Sequence, residues 1–223
     1  PGVDSFVTGL VTNNDNLIAS DTEFQAGILN QGGDADLDIN GDVDSNITNA
    51  GGTVDIAAGA ELDGFILNNS GATTILATGS ITGDATLTDG TFANAGTIDG
   101  NVTVEALGTG VFTNTGTIDG TLSVNGGTFN NETATGVVGM LATVDGGTLN
   151  ANGGAFTVGE VVVETGTLNV NANYAALDVT ANGGAVNIDD GVVLTGDFDQ
   201  AGATTTNEGE IVDADLQISA GQL

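Results

Sequence analysis

The stretch Gly90-Thr-Phe-Ala-Asn-Ala-Gly-Thr-Ile-Asp-Gly100 returns 20 residues later as Gly110-Val-Phe-Thr-Asn-Thr-Gly-Thr-Ile-Asp-Gly120. Each copy is followed by a short alternating segment, Val102-Thr-Val104 and Leu122-Ser-Val124. Apolar residues at every second position mark a half-buried strand, and the Gly, Asn and Asp between them mark turns.

Working outward from Ile98, an apolar residue in a Gly-flanked strand can be followed through Phe6, Phe24, Val43, Leu62, Ile81, Ile98, Ile118, Val138, Val158, Leu177, Val193 and Val212. That track covers 206 residues in 11 intervals, about 19 per repeat, a solenoid period. A second apolar track runs through Phe92, Phe112, Phe129, Leu149, Leu168 and Val186. A third runs through Asn94, Asn114, Asn131, Asn150, Asn169 and Asn187, and predicts an asparagine ladder along the stack.

No segment has an apolar stripe at helical spacing with a cap. A repeat of this length holds two or three short strands, and one turn cannot bury its own apolar side. The turns must therefore stack, with strands about 4.8 Å apart. The expected architecture is all-β: a parallel β-helix of about 11–12 rungs forming one domain over residues 1–223, in a rod about 50–60 Å long. Residues 1–32 fit the repeat least and read as a terminal strand or assembly segment. A β-sandwich is the competing architecture, and the regular period counts against it.

Composition removes many functions. The 223 residues include no Lys, Arg, His or Cys, against 30 carboxylates, for a net charge of −30. Lysine and histidine chemistry, thiol nucleophiles, His or thiolate metal sites and disulfides are excluded. Nucleic acid is not an expected partner, because phosphate binding needs cations. Hydrophobic residues make up 39% of the chain, which separates it from a disordered acidic tail. No apolar run is long enough for a membrane-spanning helix, so membrane insertion is not expected. The start at Pro1 reads as a processed or partial chain.

The Gly-Thr-Phe-x-Asn-x-Gly-Thr-Ile-Asp-Gly pattern resembles passenger domains of bacterial autotransporters and filamentous-haemagglutinin-like secreted adhesins. The resemblance covers residues 33 to the end and rests on structural motifs. It implies a right-handed β-helix, export to the surface or exterior of a Gram-negative bacterium, and a role in adhesion, aggregation or biofilm matrix. The sequence departs from the autotransporter plan in carrying no C-terminal membrane barrel. The family offers no shared catalytic residues to transfer.

The densest acidic stretch, Asp34-Ala-Asp36-Leu-Asp38-Ile-Asn40-Gly41-Asp42-Val-Asp44, starts like an EF-hand loop, but Ile47 stands where the closing glutamate belongs. Two readings remain. Alternation predicts a strand with Ala35, Leu37 and Ile39 inward and Asp34, Asp36 and Asp38 in water. The other is a weak Ca²⁺ site formed by Asp34, Asp36, Asp38, Asp42 and Asp44, since hard cations prefer clustered oxygens. No cofactor is otherwise required.

Carboxylate pairs at Asp189-Asp190, Asp197 with Asp199, and Asp213 with Asp215 have the composition of a glycosidase site. An all-anionic protein is nevertheless a poor binder of anionic polymers, and no catalytic role is expected. Asp99 and Asp119 share one rung position, as turn residues would. Sequons occur at Asn46, Asn68, Asn101 and Asn131. The threonines around Thr113 and Thr204 resemble arrays of ice-binding solenoids, without recurring at one position in consecutive rungs. Tyr174 and Met140 read as core or rung-edge residues.

No cap is visible at either end. The expected function is an extracellular structural or adhesive rod that self-associates through its terminal rungs into a filament. Host or cell-surface glycans are further candidate partners. The alternatives are a monomeric adhesin, with a binding face where residues 132–145 disturb the spacing, and a carbohydrate-active enzyme.

Overall fold

The computed structural model describes residues 5–105, 109–132, 135–157, 159–175, 177–212 and 217–221. One repeat shows the plan. Thr97–Ile98, Val102–Val104 and Val111–Asn114 follow one another around a turn, and the next turn repeats them as Thr117–Ile118, Leu122–Val124 and Thr128–Asn131. Each strand pairs in parallel with its equivalent one rung away. Three stacks result, called here the first, second and third face in chain order. On two rungs, Ile47–Ile56 and Ile66–Ile75, the second and third faces form one bent ten-residue strand with register shifts at the corner. The chain is a parallel β-helix of about 11 turns with about 19 residues per turn, and the described residues include no helix.

Alternation explains the core. In Val102–Val104 the two valines are fully buried and the threonine between them is half-buried, and Leu122–Val124 repeats this directly above. Stacking turns the buried position of each strand into a continuous apolar column. On the first face Val43, Leu62, Ile81, Ile98, Ile118 and Val138 stack in register, as the period predicts.

Beyond Val138 that track needs correction. Phe156 stands opposite Val138, and Val158 lies outside the described residues. The inward positions continue through Tyr174, Leu194 and Ile211. Val193 is only half-buried, Val212 is exposed, and Leu177 is buried beside the second face. Near the start, Val7 opposes Phe24, while Val43 opposes Thr22. At Val7, Leu194 and Ile211 the cause is parity: a one-residue slip from Phe6, Val193 and Val212 changes the side of the sheet, and adjacent apolar residues hide it. Phe156 and Thr22, by contrast, stand two residues from the expected Val158 and Phe24, on the same side.

The second apolar track is in register throughout, from Phe92 through Phe112, Phe129, Leu149 and Leu168 to Val186 on the third face. The rings of Phe92 and Phe112 stack at 4.6 Å and 9°, and those of Phe112 and Phe129 at 5.1 Å and 18°. Phe156 and Tyr174 meet at 5.9 Å. The buried Tyr174 hydroxyl donates to the Gly154 carbonyl at 3.0 Å, and burial pushes its pKa up to about 12. Met140 is exposed at a turn, a rung-edge position.

The asparagine track is two ladders. Asn94 Nδ2 donates to Asn114 Oδ1 (2.9 Å), and Asn114 Nδ2 to Asn131 Oδ1 (3.0 Å), inside the core at the end of the third face. Asn130, Asn150, Asn169 and Asn187 form a separate outward ladder at 2.7–2.8 Å. The adjacent Asn130 and Asn131 let the sequence pattern step from one side of the sheet to the other.

A third ladder lies at the corner between the second and third faces, where Asn13, Asn30, Asn49 and Asn68 are buried and linked at 2.8, 3.1 and 2.7 Å. The inner asparagines also donate to backbone carbonyls, as Asn49 does to Ala72. No buried side-chain nitrogen or oxygen among the described residues lacks a partner. Beside this corner Gly71 and Gly90 have φ of +85° and +84°, and a Cβ on either would strike the carbonyl of the glycine one rung earlier.

Candidate functional site

The acidic stretch separates onto two faces. Asp36–Ile39 is a third-face strand with Leu37 and Ile39 buried and Asp36 and Asp38 facing outward. Ala35 is also buried and Asp34 is exposed, which is the alternation expected of a strand. Asp42 and Asp44 belong to the first face, where they oppose Glu61 and Asp63. The five residues Asp34, Asp36, Asp38, Asp42 and Asp44 therefore do not converge on one centre.

Two smaller groups take their place. Asp55 stands directly above Asp38, and carboxylate oxygens of Asp36, Asp38 and Asp55 lie within 4.8 Å of one another. The Thr53 hydroxyl donates to Asp36 Oδ1 at 2.5 Å. On the first face, Asp44 is stacked between Glu23 and Asp63, and the Thr82 hydroxyl donates to Asp63 at 2.7 Å. Sequence reading missed Asp55 and Asp63. The period supplied the missing signal, since Asp55 lies 17 residues after Asp38 and Asp63 lies 19 after Asp44.

Like charges one rung apart repel by about 0.9 kcal/mol in water before screening. Partial burial first, then neighbouring Asp36 and Asp55, raises the pKa of Asp38 above its ordinary value. Burial, then Asp63 and Glu23, does the same for Asp44. Three clustered carboxylates suit a hard divalent cation, so Asp36, Asp38 and Asp55 are the residues that could hold Ca²⁺.

The raised values have a consequence for stability. Between the ordinary value of 3.8 and the raised ones, the folded chain binds more protons than the unfolded chain, so stability falls as pH rises through that window. The melting temperature is therefore expected to be higher at about pH 4 than at neutrality. Asp38→Asn is expected to raise the neutral-pH melting temperature and flatten this dependence. Thermal melts of both proteins across the pH range check it.

The other candidate residues are scattered. Asp189 and Asp190 sit in an exposed turn, Asp199 faces outward on the second face, and Asp213 and Asp215 lie outside the described residues. An open groove between residues 190–193 and 208–210 is lined by Asp190, Glu208 and Glu210. Asp99 and Asp119 follow the stacked strands Thr97–Ile98 and Thr117–Ile118 and share one turn position.

Of the sequons, Asn68 and Asn131 are fully buried ladder members, whereas Asn46 and Asn101 are exposed. Thr113 opposes Ala93 and Asn130, so it does not recur; Thr128, Thr148 and Thr167 do align in consecutive rungs. In residues 132–145, of which 133 and 134 are outside the described set, the strands Val137–Val138 and Ala142–Val144 keep the stack's register. Comparisons with protein-family models, with curated proteins and with solved structures found no match to this chain.

Proposed function

We propose that this chain is a structural, non-catalytic rod of an extracellular or cell-surface matrix, and that copies stack end to end through their terminal rungs. The observation that carries the reading is the equivalence of the rungs. Each described rung pairs in parallel with the next through the same faces, so the edge it presents is the same all along the stack. A stack of equivalent rungs is a template that a rung of a second copy can continue, and a head-to-tail contact that does not close on itself propagates as a filament.

The charge pattern supports an exterior setting. Stacked carboxylates without a cation favour high ionic strength, and screening over about 8 Å at physiological salt relieves much of their repulsion. Seawater-like or Ca²⁺-containing surroundings would do so more fully than dilute buffer.

Purified protein is expected to form unbranched fibres whose length grows with concentration and salt, visible by negative-stain electron microscopy. Particles of single-chain length at every concentration and salt condition would contradict end-to-end stacking.

A further inference from the structure

The thirty carboxylates are unevenly placed. Among the described third-face strands they occur only in the early rungs, as Asp36, Asp38 and Asp55. From residues 72–75 through residues 204–207, eight successive third-face strands carry none. The outward positions there are Thr, Asn, Ala and Val, as in Thr148 with Asn150 and Thr167 with Asn169. Acidic residues rim this surface at the corners, with Asp89, Asp145 and Glu164 along one edge and Glu132, Asp189 and Glu208 along the other.

We propose that this uncharged part of the third face is a lateral docking surface for the same face of a second copy of the chain. Charge selects the occupant and the orientation. Two copies with net charge −30 and no cation repel wherever their carboxylates meet, and this broad uncharged sheet face lets them approach with the acidic groups kept to the rim.

Area permits a dimer. Eight strands about 4.8 Å apart and four residues wide at about 3.3 Å each cover about 500 Å² per copy. The pair buries about 1,000 Å², the lower bound for a specific, transient interface. The surface is also pre-ordered. Asn150 donates to Asn130, Asn169 to Asn150 and Asn187 to Asn169, so the amides most central to the face are held before any partner arrives. A face-to-face contact of identical surfaces closes as a two-fold dimer. Because the rims carry like charge, pairing tightens as salt rises, opposite to an interface held by ion pairs.

The test uses the intact chain. Below the concentration at which fibres form, sedimentation of the wild type is expected to show a monomer–dimer equilibrium that strengthens with NaCl. Thr148→Asp with Thr167→Asp, which puts charge at the centre of the face, is expected to abolish the dimer while leaving the circular dichroism spectrum unchanged. Thr143→Asp on the second face is expected to retain it. Since the chain has no cysteine, Thr148→Cys should give a disulfide-linked dimer under mild oxidation at least about tenfold faster than Thr143→Cys.

A wild type monomeric at every salt concentration overturns the proposal. So does a dimer that survives the double substitution, or a monomer whose third face binds a neutral polysaccharide instead. A closed dimer and an open-ended fibre differ in mass distribution, and the double substitution removes only the dimer. Failure of end-to-end stacking is thus distinguishable from failure of lateral pairing.

Discussion

Phe112→Ala is expected to destabilise the protein by about 4 kcal/mol, the range for removing a fully buried phenylalanine without collapse of the site. Collapse is resisted by the stack itself. Phe112 is completely buried, with the Phe92 ring on one side at 4.6 Å and the Phe129 ring on the other at 5.1 Å. The backbone of each rung is held by parallel ladders at fixed spacing, so the neighbouring rungs cannot close over the gap. Two near-parallel ring contacts, each worth about 0.5–1.5 kcal/mol beyond area burial, disappear together. Leu149→Ala, in the same column but without ring partners on both sides, is expected to cost less. Chemical denaturation of the three proteins measures the difference.

Asn114→Ala is expected to cost about 3 kcal/mol, and for a different reason. Its side chain accepts from Asn94 Nδ2 and donates to Asn131 Oδ1 and to the Val137 carbonyl. Truncation leaves a buried donor on one side and a buried acceptor on the other, each carrying a desolvation penalty of about 1–3 kcal/mol. The column itself tolerates aliphatic residues, since Ile39, Ile56 and Ile75 precede the ladder and Ala151, Val170 and Ile188 follow it. Replacing Asn94, Asn114 and Asn131 together by valine orphans no side-chain partner within the ladder. The triple variant is therefore expected to lose much less than three times the single one, a non-additivity read from the same denaturation curves.

Where the sequence repeats closely, it specified the fold well. The two Gly-Thr-Ile-Asp-Gly copies placed Ile98 and Ile118 correctly, and the Phe92 to Val186 track held across six rungs, with Phe129, Leu149 and Leu168 each flanked on both sides by polar residues that fix their parity. Register was lost where two apolar residues are neighbours, as at Val193 and Leu194, or where the inward residue is atypical, as at Tyr174. The Asn13 to Asn68 ladder escaped notice because a buried polar column leaves no hydrophobic signal. The acidic groups were half legible: alternation gave the outward orientation of Asp36 and Asp38, but partners such as Asp55 come from the neighbouring rung. The uncharged third face emerges only after every strand is assigned to a face.

The stacking of equivalent turns is tested most directly by distances along one column. Thr48, Thr86 and Thr180 all face outward on the second face, in the column that passes through Thr103, Ser123, Thr143 and Val162. Paired spin labels at Thr86 and Thr180, five rungs apart, should lie about 24 Å apart, and labels at Thr48 and Thr180, seven rungs apart, about 34 Å. Backbone separations that grow by one strand spacing per rung are the result a β-helix predicts. Separations that do not follow rung number would contradict it.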